Sequence, residues 1–263
     1  MLTCRTNGIA PAERGGQAVL LLHAFPVSSE MWQQQLEALE KASIPAIAPN
    51  AYGIEGSEEK KTWTFEEYAR ELAVLLDSLG CRKATVAGLS MGGYQAFAFY
   101  GLFPERTASL VLCDTRAEAD KPEAAKQRLD FIEAVEKEGA GAAVKRMIPN
   151  YFTPETFRAN PSLARQAEAM IMRQSPAAIM SAMKAIMNRR DSTPMLARIA
   201  CPVLVINGLE DSLTTAETAR SIAGSIPGAE LELIAGAAHL SNMEQPEKFN
   251  QALLDHVRRT AGT

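Results

Sequence analysis

The chain predicts an α/β fold: a mostly parallel central sheet with helices on both faces and an inserted all-helical lid. Three observations carry this. Short continuous apolar runs alternate with amphipathic helical patterns near both ends of the chain, as strands buried on both faces and joined by helices do. Between Thr115 and Leu196 no strand-like run occurs. The segment Gly88-Leu89-Ser90-Met91-Gly92-Gly93 stands between an apolar run and a helix-compatible stretch.

The elements follow in order. Ala18 to Leu22 is a short apolar run after Gly15-Gly16 and predicts a buried strand. Ser29 to Lys41 reads as helix, and Ile44 to Ala48 as a second strand ended by Pro49-Asn50. Thr64-Phe65-Glu66-Glu67 is a capping box, because Thr and Glu three apart can satisfy each other's backbone N–H. Leu72, Leu75, Leu76 and Leu79 then form one apolar face, and Gly80 stops the helix. Ala84 to Ala87 is the strand before Ser90, Tyr94 to Phe103 the helix after it, and Leu110 to Cys113 the next strand. The following block holds amphipathic helices broken by Pro149, Pro154, Pro161 and Pro176. Strands return at Val203 to Ile206 and Glu230 to Ile234, with a helix around Thr215 to Ser225 between them. Pro246 opens a last helix with Phe249, Leu253 and Val257 on one face. Residues 1–114 and 197–263 are thus expected to form the core. Residues 115–196 are expected to form a lid over the edge of the sheet where open α/β sheets carry their sites.

The 263 residues are 47% hydrophobic, enough to bury a sizeable core. The net charge of −4, without a basic cluster, argues against nucleic acid or an anionic membrane as partner. No apolar run approaches a membrane span, and Met1 to Gly16 lacks a signal-peptide core. The four cysteines (Cys4, Cys81, Cys113 and Cys201) show no paired metal spacing. Cys113 and Cys201 read as buried thiols, and the whole as a reduced cytoplasmic protein. Homo-oligomerisation is left open.

Glycines two residues before and after Ser90, at a strand-to-helix joint, make a nucleophile elbow. A serine hydroxyl needs a base of near-neutral pKa, and the chain has three histidines. His239, in the loop between the last strand and the final helix, is the candidate base. His256 reads as a surface or half-buried helix residue, and His23 as a structural residue holding the turn after the first long strand. The base needs an orienting carboxylate. Asp211 follows a strand and keeps the order Ser, Asp, His along the chain. Asp114 also ends a strand and is the serious competitor, with Glu210 weaker. The backbone N–H groups of Met91 and Phe25 are the candidate oxyanion donors. Gly8, Gly53 and Gly56 read as ordinary turn glycines.

His23-Ala24-Phe25-Pro26, Gly88 to Gly93, Asn207 to Asp211 and Gly236 to His239, in this order, resemble the α/β-hydrolase family. More narrowly, the chain is similar to its capped, cofactor-free esterases and 3-oxoadipate enol-lactonases, and the tail Gly236 to Asn250 most resembles the lactonases. Two positions depart from the family pattern. Ala24 stands where Gly is usual, and Asn50-Ala51-Tyr52-Gly53 stands where Asp-x-Arg-Gly is frequent, which removes a loop salt-bridge partner.

The resemblance implies a serine hydrolase of small or medium carboxylic esters or lactones, with no metal or cofactor. Carbon–carbon bond hydrolysis, cofactor-free perhydrolysis and a slow-turnover ligand receptor are the rivals. Ser at position 90 argues against an Asp-nucleophile dehalogenase or epoxide hydrolase. Seven of the eleven methionines fall in the helical block. Met180, Met183 and Met187 have helical spacing, which favours packing over a pocket wall. Trp32 and Trp63 read as core or rim residues.

Overall fold

The computed structural model describes residues 1–260. Its strands are β1 (Cys4–Thr6), β2 (Gln17–Leu22), β3 (Ala46–Pro49), β4 (Lys83–Leu89), β5 (Thr107–Cys113), β6 (Val203–Gly208) and β7 (Glu230–Ile234). They form one sheet in the order β1-β3-β2-β4-β5-β6-β7. All pairings are parallel except β1 with β3. The central strands are mostly apolar and buried along nearly their whole length because both faces are covered. The strand β1 has no sequence signal: Cys-Arg-Thr is polar and short, and pairing with Ala46–Pro49 is what makes it a strand. Pro49 falls inside β3 instead of after it, at the strand's last position, where a missing N–H does least harm.

The core helices are α1 (Gln33–Lys41), α2 (Phe65–Ser78) and α3 (Met91–Leu102). A 3-10 turn at Ser29–Trp32 precedes α1, so the expected single helix is two pieces. The capping box forms: Thr64 Oγ1 accepts the Glu67 N–H at 3.1 Å, and the Glu67 carboxylate accepts the Thr64 N–H at 2.7 Å. Between β5 and β6 the described elements are all helical: α4 (Pro122–Glu138), α5 (Ala140–Met147), α6 (Pro154–Ala159), α7 (Pro161–Met172), α8 (Pro176–Met187) and α9 (Thr193–Leu196). Pro154, Pro161 and Pro176 each open a helix, where proline's fixed φ suits and its missing N–H is not needed. The chain closes with α10 (Ala216–Ser225), α11 (Ser241–Glu244) and α12 (Pro246–Thr260).

Packing puts α2 on α3, which lies against β2, β4 and β5, and α1 on α12, which lies against β5 and β7. The helical insertion has a neck: the Ser192 N–H donates to Ala117 O at 2.8 Å. Beside it the buried Arg189 pairs with buried Asp120 at 2.7 Å, donates to Glu118 O and covers the Tyr94 ring. Arg128 also reaches Asp120, at 3.2 Å, so the carboxylate is shared by two guanidinium groups.

Several readings change. His256 is buried, neither at the surface nor half-buried, and its Nε2 has no partner among the described residues. The reason is helical spacing: His256 falls in the same buried stripe of α12 as Phe249, Leu253 and Val257. Cys113 is buried, but Cys201 is only half-buried, since it precedes the strand instead of lying in it. Gly53 is more than a turn residue: at φ +76°, a Cβ there would stand 2.7 Å from the Ala178 side chain of α8. Gly8 and Gly56 are open turns. Trp32 and Trp63 are both core. Met170 and Met183 are buried, while Met172 is 53% exposed. No helix among the described residues is long and apolar enough to cross a membrane.

Two buried imidazoles make stability pH-dependent. Burial lowers the pKa of His23 to about 4, against the opposing effects of the Ala24 carbonyl and Glu55. Burial likewise lowers His256 to about 4, with Glu230 opposing and Arg259 reinforcing. The unfolded chain therefore binds these protons first. Stability is intact above pH ~6.5 and falls as the pH drops toward 4, by up to ~3 kcal/mol per histidine. In urea titrations at pH 7.5 and 4.5, His256→Gln should lose about 2–3 kcal/mol less between the two than wild type. An unchanged difference would remove His256 from this account.

Candidate active site

Ser90 stands between β4 and α3 at φ 56°, ψ −110°, a left-handed backbone that a non-glycine residue adopts only when its surroundings enforce it. They do so through close backbone approaches. A Cβ on Gly88 would overlap the Gly92 carbonyl, one on Gly92 the Leu22 carbonyl, and one on Gly93 the Thr115 hydroxyl. Hydrogen bonds finish the turn: the Ser90 N–H donates to Cys113 O at 2.9 Å, and Thr115 Oγ1 donates to Ser90 O at 2.8 Å.

Asp211 and His239 come to Ser90 from the loops after β6 and β7. His239 Nε2 lies 2.9 Å from Ser90 Oγ, and its Nδ1 lies 2.8 Å from Asp211 Oδ2. Both side chains are buried. Asp211 is fully engaged. Oδ1 accepts the N–H groups of Leu213 (2.7 Å) and Thr214 (3.1 Å), and Oδ2 accepts the Thr214 hydroxyl as well as the imidazole. Burial alone would raise its pKa, but the His239 charge and these hydrogen bonds outweigh it and hold the carboxyl below its ordinary range. An acceptor fixed at Nδ1 leaves Nε2 free to take a proton from Ser90.

The other two carboxyls do different things. Asp114 does not touch His239. It accepts the Gly208 N–H at 2.7 Å and the Ser241 hydroxyl, so it joins the loop bearing Asp211 to the one bearing His239. Burial, with Asp211 nearby, pushes its pKa well up. Glu210 is exposed and accepts the N–H groups of Gly236 (3.2 Å) and Ala237 (3.1 Å), which staples the same two loops from outside.

Phe25 follows β2 and Met91 opens α3, whose first-turn N–H groups lack helical partners. His23 organises the turn from β2 to Phe25. Its Nε2 accepts the Ala51 N–H at 2.9 Å, which leaves the proton on Nδ1, and Nδ1 donates to Ala24 O at 2.8 Å. That carbonyl shares a peptide plane with the Phe25 N–H. Ala24, in place of the expected glycine, is fully buried, and its N–H donates to Met31 Sδ at 3.2 Å. Side-chain hydrogen bonds hold the loop that lacks the expected salt-bridge partner. Asn50 Oδ1 accepts the Ser29 N–H at 2.8 Å and its Nδ2 donates to Thr3 Oγ1, while the Tyr52 hydroxyl accepts from Lys60 at 3.1 Å.

Three residues at the site escaped the sequence reading. Thr214 holds Asp211. Glu244 accepts the Ala238 N–H on one oxygen and the Thr153 N–H and hydroxyl on the other, all at 2.7 Å. Tyr151, from the helical insertion, stacks on His239 at 6.0 Å between ring centroids. The Glu244 position, five beyond His239 at the end of α11, offered some signal; Tyr151, remote in sequence, offered none.

Residues 17–246 match the family described as the alpha/beta hydrolase fold. The chain is 27% identical over 243 residues to 3-oxoadipate enol-lactonase 2 of Acinetobacter baylyi, covering 92% of this chain and 89% of that one. Among solved structures it resembles a thermophilic esterase from Thermogutta terrifontis, determined with malate bound. That match has a TM-score of 0.93 and 36% identity, over 99% and 94% of the two chains. The enol-lactonase from Burkholderia xenovorans LB400 matches with a TM-score of 0.87 and 26% identity, over 98% and 96%.

Two glycines of α3 give a contrasting test of the turn. Gly92→Ala forces a methyl into the Leu22 carbonyl and should leave little folded protein. Gly101→Ala meets only Met195 Cε at 4.0 Å and should gain up to about 1 kcal/mol from helix propensity. Thermal melts of the two variants decide it, and a well-folded Gly92→Ala would contradict the packing described.

Proposed function

Because the chain belongs to the α/β-hydrolase family, we propose that it is a serine hydrolase of carboxylic esters or lactones, acting through Ser90, His239 and Asp211. The observation that carries this reading is the hydrogen-bonded line from Ser90 Oγ through His239 to Asp211, at 2.9 and 2.8 Å. Ser90 Oγ attacks the substrate carbonyl carbon and its proton passes to His239 Nε2. The Phe25 and Met91 N–H groups hold the oxyanion. The tetrahedral intermediate expels the alcohol, which takes the proton from His239, and an acyl-enzyme remains. In a lactone the alcohol stays tethered to the acyl group. Water then gives a proton to His239 and attacks the acyl carbon, and Ser90 leaves with that proton as the acid is released. Asp211 holds the imidazole in the required tautomer throughout.

Residues 115–196 act as a fixed lid in this reading. The outer face of α4 is solvated, with Lys126, Asp130, Glu133, Glu136, Lys137 and Glu138 exposed. A helix of that kind does not open onto a lipid surface. Four free thiols suit a reducing cytoplasm.

Ser90→Ala should abolish ester hydrolysis and phosphonate labelling with the fold intact, and near-normal turnover would sink the assignment. Asp211→Asn should cost up to ~10⁴ in kcat by stranding the imidazole in the wrong tautomer. Asp114→Asn, which disturbs a loop tie, should cost far less; the reverse ranking would exchange their roles. Across p-nitrophenyl esters from acetate to palmitate, kcat/KM should peak at short or medium chains with no jump at an emulsified interface. A vinylogous diketone cleaved faster than any ester would move the reading to carbon–carbon hydrolysis.

A further inference from the structure

Tyr151 lies in the insertion, just after a 3-10 turn at Ile148–Asn150, and is fully buried. It touches both halves of the site. Its hydroxyl donates to Phe25 O. Its ring stacks on His239 at 6.0 Å with planes 23° apart, and its backbone carbonyl accepts the Leu240 N–H at 3.0 Å. Two residues on, Thr153 is tied through Glu244 to Ala238, the neighbour of His239.

The consequences follow from the two peptide planes around Phe25. The Ala24–Phe25 plane carries the candidate oxyanion N–H, and His23 holds its carbonyl. The Phe25–Pro26 plane carries the carbonyl that Tyr151 holds. Pro26 has no N–H to anchor that plane itself. With both planes fixed, Phe25 has little rotational freedom left. The phenol is also a rigid spacer: hydroxyl on the oxyanion turn, ring face on the base. We propose that Tyr151 is a positioning residue, supplied by the lid, that sets the oxyanion turn and His239 at their working separation. The site is then complete only with the lid in place. This rests on the serine-hydrolase reading above.

Misplacing an oxyanion donor weakens an interaction made only in the transition state, so kcat and kcat/KM fall together while KM holds. Tyr151→Phe keeps the ring and removes the hydroxyl. Its kcat, counted per site titrated by a phosphonate, should fall about 10- to 100-fold with KM within about twofold of wild type, since direct loss of a donor costs ~10²–10³. Arg173→Ala removes a different lid tie, to Glu30 and Glu55, and should keep wild-type kcat. Replacing Tyr151 with 3-fluorotyrosine preserves shape and strengthens the donor, so kcat should stay at or above wild type. Counting titrated sites separates this role from a purely structural one, which would lower the folded fraction and leave kcat per site alone.

Tyr151→Phe with wild-type kcat per site, a loss confined to KM, or a fluorotyrosine enzyme as slow as Tyr151→Phe overturns the role. If wild type takes the phosphonate and turns over esters in that case, the hydrolase reading stands without it. If wild type does neither, both fall.

Discussion

One close approach of backbone to backbone sets the geometry of this molecule. The first turn of α3 passes so near the end of β2 that no Cβ fits at Gly92, and the end of β4 passes so near that turn that none fits at Gly88. Ser90 is left between them in a left-handed conformation that only such confinement sustains. The same approach brings the end of β2 beside the serine. The turn His23-Ala24-Phe25 begins there, so one contact positions both the hydroxyl and a candidate oxyanion donor. Small side chains here are required by space, and parallel pairing of β2 with β4 holds the register, with Leu22 opposite Gly88.

The second half of the site depends on two loops that would otherwise wander. Gly208 packs against the carbonyls of Ala237 and Ala238. Asp114 ties these loops from within and Glu210 from outside. Asp211 can then be buried as a charged acceptor, because its hydrogen bonds replace the water it gave up. Were those bonds absent, desolvation would favour the neutral acid and the imidazole would lose its orienting partner.

The insertion is fixed at two places of different chemistry. At its neck, the Arg189–Asp120 pair closes the insertion on itself, and the Arg189 guanidinium over the Tyr94 ring holds it to α3. At the edge of the candidate site, Tyr151 joins it to Phe25 and Leu240 through hydrogen bonds, and Thr153 joins it to Ala238 through Glu244. Its outer face carries solvated charge and its inner face buries Phe131, Val135, Met170 and Met183. The Phe131 ring reaches Phe25 at 5.6 Å in an edge-to-face contact.

The sequence by itself determined what depends on neighbouring residues. Apolar runs marked the central strands, the Thr64–Glu67 spacing marked a helix start, and the glycines around Ser90 marked the elbow. Chain order and placement then favoured Asp211 and His239, with Asp114 left as a competitor that keeps the same order. Tertiary structure decided what depends on distant partners. Asp211 and Asp114 both follow strands, and only the three-dimensional path of the loops puts the first on His239 and the second on Gly208 and Ser241. The strand β1 exists only through its pairing, and His256 is buried only because α12 turns that stripe inward. Tyr151 lies 126 positions from its carbonyl partner Phe25. No local pattern encodes a contact across that separation, because the packing of the insertion onto the sheet creates it.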